Sequence, residues 1–412
     1  MTEGATVTPL ELFFDLVFVY ALTQVTALMA GDLTGRGMVH GVLVLALLWW
    51  CWCCYAWLGN TVRADEGVVR VAIFAVMAAM FVVAVTIPEA FTDLPGGLSG
   101  PVVFAGCYLV VRVLHLVIYW HAARGDADLR RQLLRAALPM LGGATLLFTA
   151  ALLPQRLADT PLGVDNLRTL LWALALAVDY GGMLAIGAGG WRIFSAAHWT
   201  ERHGLIIIVA LGESLVAIGV GVTALPISWP IIVASFLGIA VAAALWWAYF
   251  DVMAIAAERV LQRAQGAERA ALARDSYTYL HLPMVAGIVL LALGLKKVLS
   301  YVGDGGEHDL TDPLHGLGLY ALYGGVVLYL LGHLGFRLRN LRSVNWPRAV
   351  AMVLLVVLVP VADRLPALAA LALLALVCVG MIAAEVLLFG EVRRKLRDSF
   401  LDEHGAGPAH GR

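Results

Sequence analysis

The sequence predicts an all-α, polytopic membrane protein of about 12 transmembrane helices, on three observations. The 412 residues are 61% hydrophobic and only 14% charged, against roughly 45–50% apolar and 25% charged in soluble domains. Mean hydropathy is +0.86. Apolar runs of about 18 to 23 residues recur along nearly the whole chain, each long enough to cross a hydrocarbon core of ~30 Å as a helix. No sizeable soluble domain fits between them.

The spans read as 9–30, 38–58, 69–88, 101–121, 136–153, 168–189, 204–223, 228–250, 279–299, 314–335, 348–362 and 366–389. The first has no positive n-region and no small-residue cleavage site, so it reads as a retained helix. With this count, most of the 28 Lys and Arg residues fall on the side of the N-terminus, among them Arg63, Arg70, Arg124, Arg130, Arg131, Arg135, Arg202, Arg348, Arg393 and Arg412. The opposite side holds Arg36, Arg156, Arg168, Lys296, Lys297 and Arg364. Basic loops stay on the cytoplasmic side, so both termini are expected there, in a cell inner membrane. Residues 252–275 read as an amphipathic connector on that side, and 401–412 as a disordered tail. Cys51, Cys53, Cys54, Cys107 and Cys378 all lie in apolar runs and read as small buried side chains rather than disulfides or metal ligands.

Folding the sequence over between spans six and seven aligns several landmarks. "ELFFDLVFVYALTQV" from Glu11 matches "ERHGLIIIVALGESLVAIG" from Glu201, and "WWCWCCY" at Trp49 matches "LWWAYFD" at Trp246. We therefore expect two parallel six-helix repeats, 1–200 and 201–400, framing a cavity at their interface.

Ionisable groups inside a bilayer are costly, about 2.5–3.5 kcal/mol each on insertion scales, and so mark pathways or sites. Two layers emerge. Arg112, Asp179 and Glu213 lie near the midplane, and Glu11, Asp15, Asp251, His281, His333 and Glu385 lie towards the N-terminal side. One cation and two carboxylates in the midplane layer could share a proton or lock three helices, with His115 one turn from Arg112 able to shuttle protons. Thr8, Pro9 and Glu11 fit a capping box. Asp15 escapes that explanation, because it stacks over Glu11 at i, i+4 and needs a proton, a cation or a basic partner such as His281 or an arginine of a facing helix. The tryptophans of the second spans read as an interfacial belt, or else as an aromatic wall around a ligand. No nucleotide, metal or nucleophile motif occurs, and no nucleic-acid partner is expected.

The two long motifs, the aromatic second spans and "YLHLPMVAGI" resemble the bacterial low temperature requirement A (LtrA) family over nearly the full length. The resemblance implies a polytopic inner-membrane protein but no particular reaction, and its motif positions fall on Glu11, Phe14, Asp15, Glu201, His203, Gly212, Glu213, Ser214 and His281. "FFDLVFVYALT" is also similar to the first-helix FSD motif of the lysosomal potassium channel family, with phenylalanine in place of the motif serine.

Three functions are compatible with this pattern. The first is a transporter or channel for a proton, small cation or small solute, its pathway drawn from Glu11, Asp15, Arg112, His115, Asp179, Glu213, Ser214, Asp251 and His281. The second is an intramembrane enzyme acting on a lipid or isoprenoid, and the third a receptor or assembly factor. The expected partners are the bilayer, a small ion or solute and, for assembly, a second copy in a homodimer; no cofactor is specified.

Overall fold

The computed structural model describes residues 5–62, 67–223, 225–303 and 308–405. Arg63 and Arg412, and the side chains of Arg393, Lys395 and Arg397, lie outside what is described, as do 304–307 of the outer loop and 406–412 of the tail. Among the described residues the chain is helical throughout: α1 (Pro9–Gly31), α2 (Gly35–Gly59), α3 (Gly67–Val85), α4 (Gly100–Ala122), α5 (Ala127–Leu152), the single turn α6 (Pro154–Leu157), α7 (Pro161–Ile186) and α8 (Ala196–Gly221). There follow α9 (Trp229–Phe250), α10 (Met253–Arg263), α11 (Gly266–Leu272), α12 (His281–Gly303), α13 (Leu317–Leu341), α14 (Trp346–Ala362) and α15 (Ala367–Gly405). Eleven described helical stretches are long and apolar enough to cross a membrane, and α14 is a shorter apolar helix.

Local chemistry explains where these helices start. Thr8 and Glu11 form the expected reciprocal capping box with Pro9 in the first turn of α1. Thr34, Asp126, Thr160 and Asn345 each accept a backbone N–H from the first turn of α2, α5, α7 and α14. Caps, not hydropathy, set these boundaries, so several helices begin earlier than their apolar runs. α5 starts at 127 rather than 136, α7 at 161 rather than 168, and α8 at 196 rather than 204. The nine extra residues of α5 add about 13 Å of charged helix at 1.5 Å per residue. The connector 252–275 is not one helix: α10 and α11 are separated at Ala264 and Gln265, Gly266 takes a positive φ of 53°, and a π-helical segment, Ala273–Tyr279, follows. The tail expected from 401 continues α15 as helix through Gly405.

The chain divides into two compact units, residues 1–213 with 265–278 and residues 214–264 with 279–412, the division falling inside α8. In the first unit α1 packs on α2 and α3, α4 on α2, α3 and α5, and α5 on α7. In the second, α12 packs most extensively on α13, with α9, α14 and α15 completing the bundle. Leucine-rich faces such as Leu134, Leu138 and Leu141 on α5 point outward, as lipid-facing positions do. Arg202 and Arg348, counted as loop charges from sequence, are buried in α8 and α14; the basic asymmetry of the loops persists without them.

The tryptophans divide by position. Trp49, Trp50 and Trp52 on α2 are buried, which corrects the belt reading there, whereas Trp246 and Trp247 on α9 are 45% and 39% exposed, as belt residues are.

Candidate functional site

In the first unit α1 and α8 run side by side in the same direction. Val7 N–H donates to Glu201 Oε2 (2.9 Å), Arg202 pairs with Asp15, and Thr23 meets Glu213, so residue numbers rise together along both helices. The two charged rungs each join residues 187 apart. Because Glu11 and Asp15 are one turn apart, and His198 and Arg202 equally so, two parallel helices bring the four together as matched pairs.

The first rung explains both roles considered for Glu11. Its Oε2 accepts from the Thr8 N–H (2.9 Å) as a cap, while its carboxylate also lies 3.0 and 3.1 Å from His198 Nε2. The histidine tautomer follows from its other side. Asn60 Oδ1 accepts the Phe194 N–H (2.7 Å) and Asn60 Nδ2 donates to the Ser195 carbonyl (2.8 Å), which fixes the amide orientation. Nδ2 also faces His198 Nδ1 at 3.3 Å, so Nδ1 accepts there and the proton is on Nε2, donated to Glu11.

On the second rung Asp15 Oδ2 accepts from Arg202 Nη1 (2.7 Å) and Oδ1 accepts from Trp52 Nε1 (2.9 Å). The Arg202 guanidinium lies 5.4 Å from the Trp52 ring centroid and also donates to the Glu11 carbonyl. Asp15 is thus answered by an arginine of α8, one of the two partners considered. His281, the other, belongs to the second unit, where it bonds Tyr249 Oη at 2.9 Å. A cavity of about 20 Å³, room for one water, is lined by Glu11, Arg202 and Tyr55.

The third rung lies about 12 Å further along α1 than Asp15. Thr23 Oγ1 is 2.6 Å from Glu213 Oε2 and 3.1 Å from the Val19 carbonyl. The single hydrogen of the Thr23 hydroxyl is donated to Glu213 or to the Val19 carbonyl. Glu213 and its neighbour Ser214 are fully buried.

The remaining sequence candidates fall into separate groups. Arg112 on α4 pairs with Asp179 on α7 at 3.1 Å, with Tyr108 donating to the same carboxylate and Cys54 Sγ at 2.7 Å from Arg112 Nη1. His115 Nε2 lies 3.1 Å from the Cys54 carbonyl. Arg112 and Asp179 are therefore together as expected, while Glu213 is bonded on the α1 side. Asp251 is the partly exposed C-cap of α9. In the second unit Arg348 forks onto Glu385 and reaches the His333 ring at 2.7 Å, with Asn345 donating to Glu385 (2.9 Å). Among the described residues no group of three or more His, Cys, Asp or Glu side chains is placed to hold a metal ion.

Sequence reading missed His198, Asn60, Arg202, Trp52 and Thr23, and placed Arg348 in a loop. His203 lies against Trp52, Trp199 and Tyr277 at ring distances of 5.0, 4.5 and 5.0 Å, and Thr278 accepts from Trp49 and Trp57. The opposite end of the unit carries its own cluster, with Asp165 pairing with Arg36 at 3.0 Å.

Gly59 makes the first rung possible, since a methyl group there would come within 2.6 Å of Glu11 Oε1. Gly59→Ala is expected to push the carboxylate off His198 and to cost about 1–3 kcal/mol for the buried polar groups left unsatisfied. Thermal melting of the purified protein checks this, with Gly106→Ala, where an added methyl meets nothing within 4 Å, expected to leave the midpoint unchanged.

A multi-pass, all-helical membrane protein with a buried seam of ionisable side chains is the class that these features define. The family model for the bacterial low temperature requirement A protein (LtrA) matches residues 6–383, and the chain belongs to that family. It is also 28% identical over 359 residues to an uncharacterized protein of Rhizobium meliloti (strain 1021), covering 84% of this chain and 80% of that one.

Proposed function

We propose that this LtrA-family protein is a transporter or channel that moves protons, alone or with a small cation, along the α1–α8 seam. Glu213 carries the reading: a carboxyl group buried inside a membrane-spanning helix and bonded to Thr23 is costly there and marks a pathway or site. The seam as a whole supports it. Glu11 and Asp15 share the Arg202 guanidinium, and Glu11 also meets His198. Titratable groups in hydrogen-bond contact of this kind can take up and pass on protons, and the small cavity beside Glu11 leaves no room for a larger solute. Buried ion pairs contribute little net stability relative to apolar replacements, so a role in transport accounts for their presence better than folding does.

The positive-inside rule puts the Glu11 end in the cytoplasm of a cell whose inner membrane holds the protein. The parallel course of α1 and α8, the helices that open the two aligned halves of the sequence, supports the reading of two parallel repeats. Arg112 and Asp179, paired between α4 and α7, are assigned a locking role.

The test is reconstitution into liposomes with pH- and cation-sensitive dyes under imposed gradients. The parent is expected to collapse a proton gradient. Glu213→Gln, which can still bond Thr23 but holds no exchangeable carboxyl proton, is expected to fold normally and lose most of the flux. Absence of flux from the parent under every gradient, or full flux from Glu213→Gln, overturns the reading.

A further inference from the structure

We infer that the first unit has a second, separate binding site, for the phosphate group of an anionic lipid headgroup or of a soluble phosphate ester, at the basic end of α5. A cavity of about 420 Å³ opens there, within the size range of small-ligand pockets. Its walls bring together elements distant in sequence: Arg131, Gln132 and Arg135 of α5, Gly190 and Arg192 of the segment after α7, and the start of α11. Three arginines face one lining carboxylate, Asp128, which lies 3.9 Å from Arg131 across an exposed i, i+3 pair. Asp126 engages Arg192 at 3.2 Å. Arg135 makes no ion pair with a described residue, leaving a guanidinium fork of the geometry that suits two phosphate oxygens.

The surroundings fit a lipid in particular. The extra turns of α5 that precede its apolar run carry Arg131 and Arg135, which puts them at headgroup level, and Leu134, Leu138 and Leu141 continue outward-facing on the same helix. Their i, i+4, i+7 spacing makes a stripe along which an acyl chain would lie with the headgroup at the arginines. Basic pockets between transmembrane helices on the cytoplasmic side are suited to anionic headgroups, and this one lies at the end that the charge distribution makes cytoplasmic. None of its residues belongs to the α1–α8 seam, so the two sites stand or fall separately.

The experiment titrates the purified full-length protein in detergent with phosphatidylglycerol, phosphatidylcholine, glycerol 3-phosphate and inorganic phosphate, reading bound lipid by native mass spectrometry and the melting temperature in parallel. Phosphatidylglycerol is expected to bind saturably and raise the melting temperature more than phosphatidylcholine. In the triple variant Arg131→Gln, Arg135→Gln, Arg192→Gln binding is expected to weaken about a hundredfold, from roughly one surface-charge contribution per residue lost. These side chains are exposed, so the variant should fold; the single reversal Arg135→Glu serves as a second, milder probe. Arg263→Gln with Arg339→Gln, basic changes in the other unit, should leave binding unaltered. Arginine-dependent binding of glycerol 3-phosphate or inorganic phosphate that matches the lipid would assign the site to a soluble phosphate ester. Equal binding of phosphatidylglycerol by the parent and the triple variant, or equal loss in the control pair, overturns the inference.

Discussion

Arg202→Leu is expected to lose about 3–5 kcal/mol of stability, because it removes one partner of a buried pair and leaves the Asp15 carboxylate without its cation. Asp15 is 2% exposed. Its remaining donor, Trp52 Nε1, satisfies one oxygen only. The loss would be read as a lower melting temperature and a poorer monodisperse fraction after solubilisation. The charge-neutral pair Asp15→Asn with Arg202→Gln separates the two contributions to that loss. Asn keeps an acceptor for Trp52 and a partner for Gln, so most of the stability should return. Proton flux should not, since the second rung then holds neither an exchangeable carboxyl proton nor a fixed cation. If Arg202→Leu melts with the parent, the buried pair is not what holds α8 against α1. If the neutral pair conducts as the parent does, the second rung is not on the path.

The charged seam was partly legible from sequence. The i, i+4 stacking of Glu11 and Asp15 stated a demand for a basic partner, and the same spacing recurs in His198 and Arg202, within "HWTER". What concealed the answer was the span boundary. A hydropathy window starts α8 where the apolar run starts, at 204, and assigns Arg202 to a loop, whereas the helix starts at Ala196 and carries that arginine into the protein. Arg348 was concealed in the same way by the Asn345 cap of α14. Composition and periodicity report which helices exist, because burial in lipid demands apolar length; they do not report depth, because a paired arginine is tolerated inside. The π-helical turn that brings Thr278 to the α2 tryptophans and Tyr277 to His203 has no sequence signal in the alternation of Glu and Arg along the connector.

The adjacent glycines of "YGGVV" on α13 should respond in opposite ways to the same change. Gly325 lies at the α12–α13 crossing, and a Cβ there would come within 2.5 Å of the Leu291 N and 2.6 Å of the Gly287 O. Both are backbone atoms, so no side-chain rotation relieves the clash and the helices must separate. In a membrane, where close van der Waals packing replaces much of the hydrophobic drive between helices, that separation falls on the main source of their association. Gly325→Ala should therefore cost at least the upper end of the roughly 1–3 kcal/mol typical of overpacking. Gly287→Ala meets the same crossing from the other side, with Gly325 O and Tyr329 N at 2.5 Å, and should cost as much. At Gly324 an added methyl meets nothing within 4 Å, so Gly324→Ala should be neutral or stabilise by up to about 1 kcal/mol through the better helix propensity of alanine. Melting curves of the three variants decide the matter: a stable Gly325→Ala would mean that α12 and α13 do not meet backbone to backbone, and the tight bundle assigned to the second unit would have to be given up.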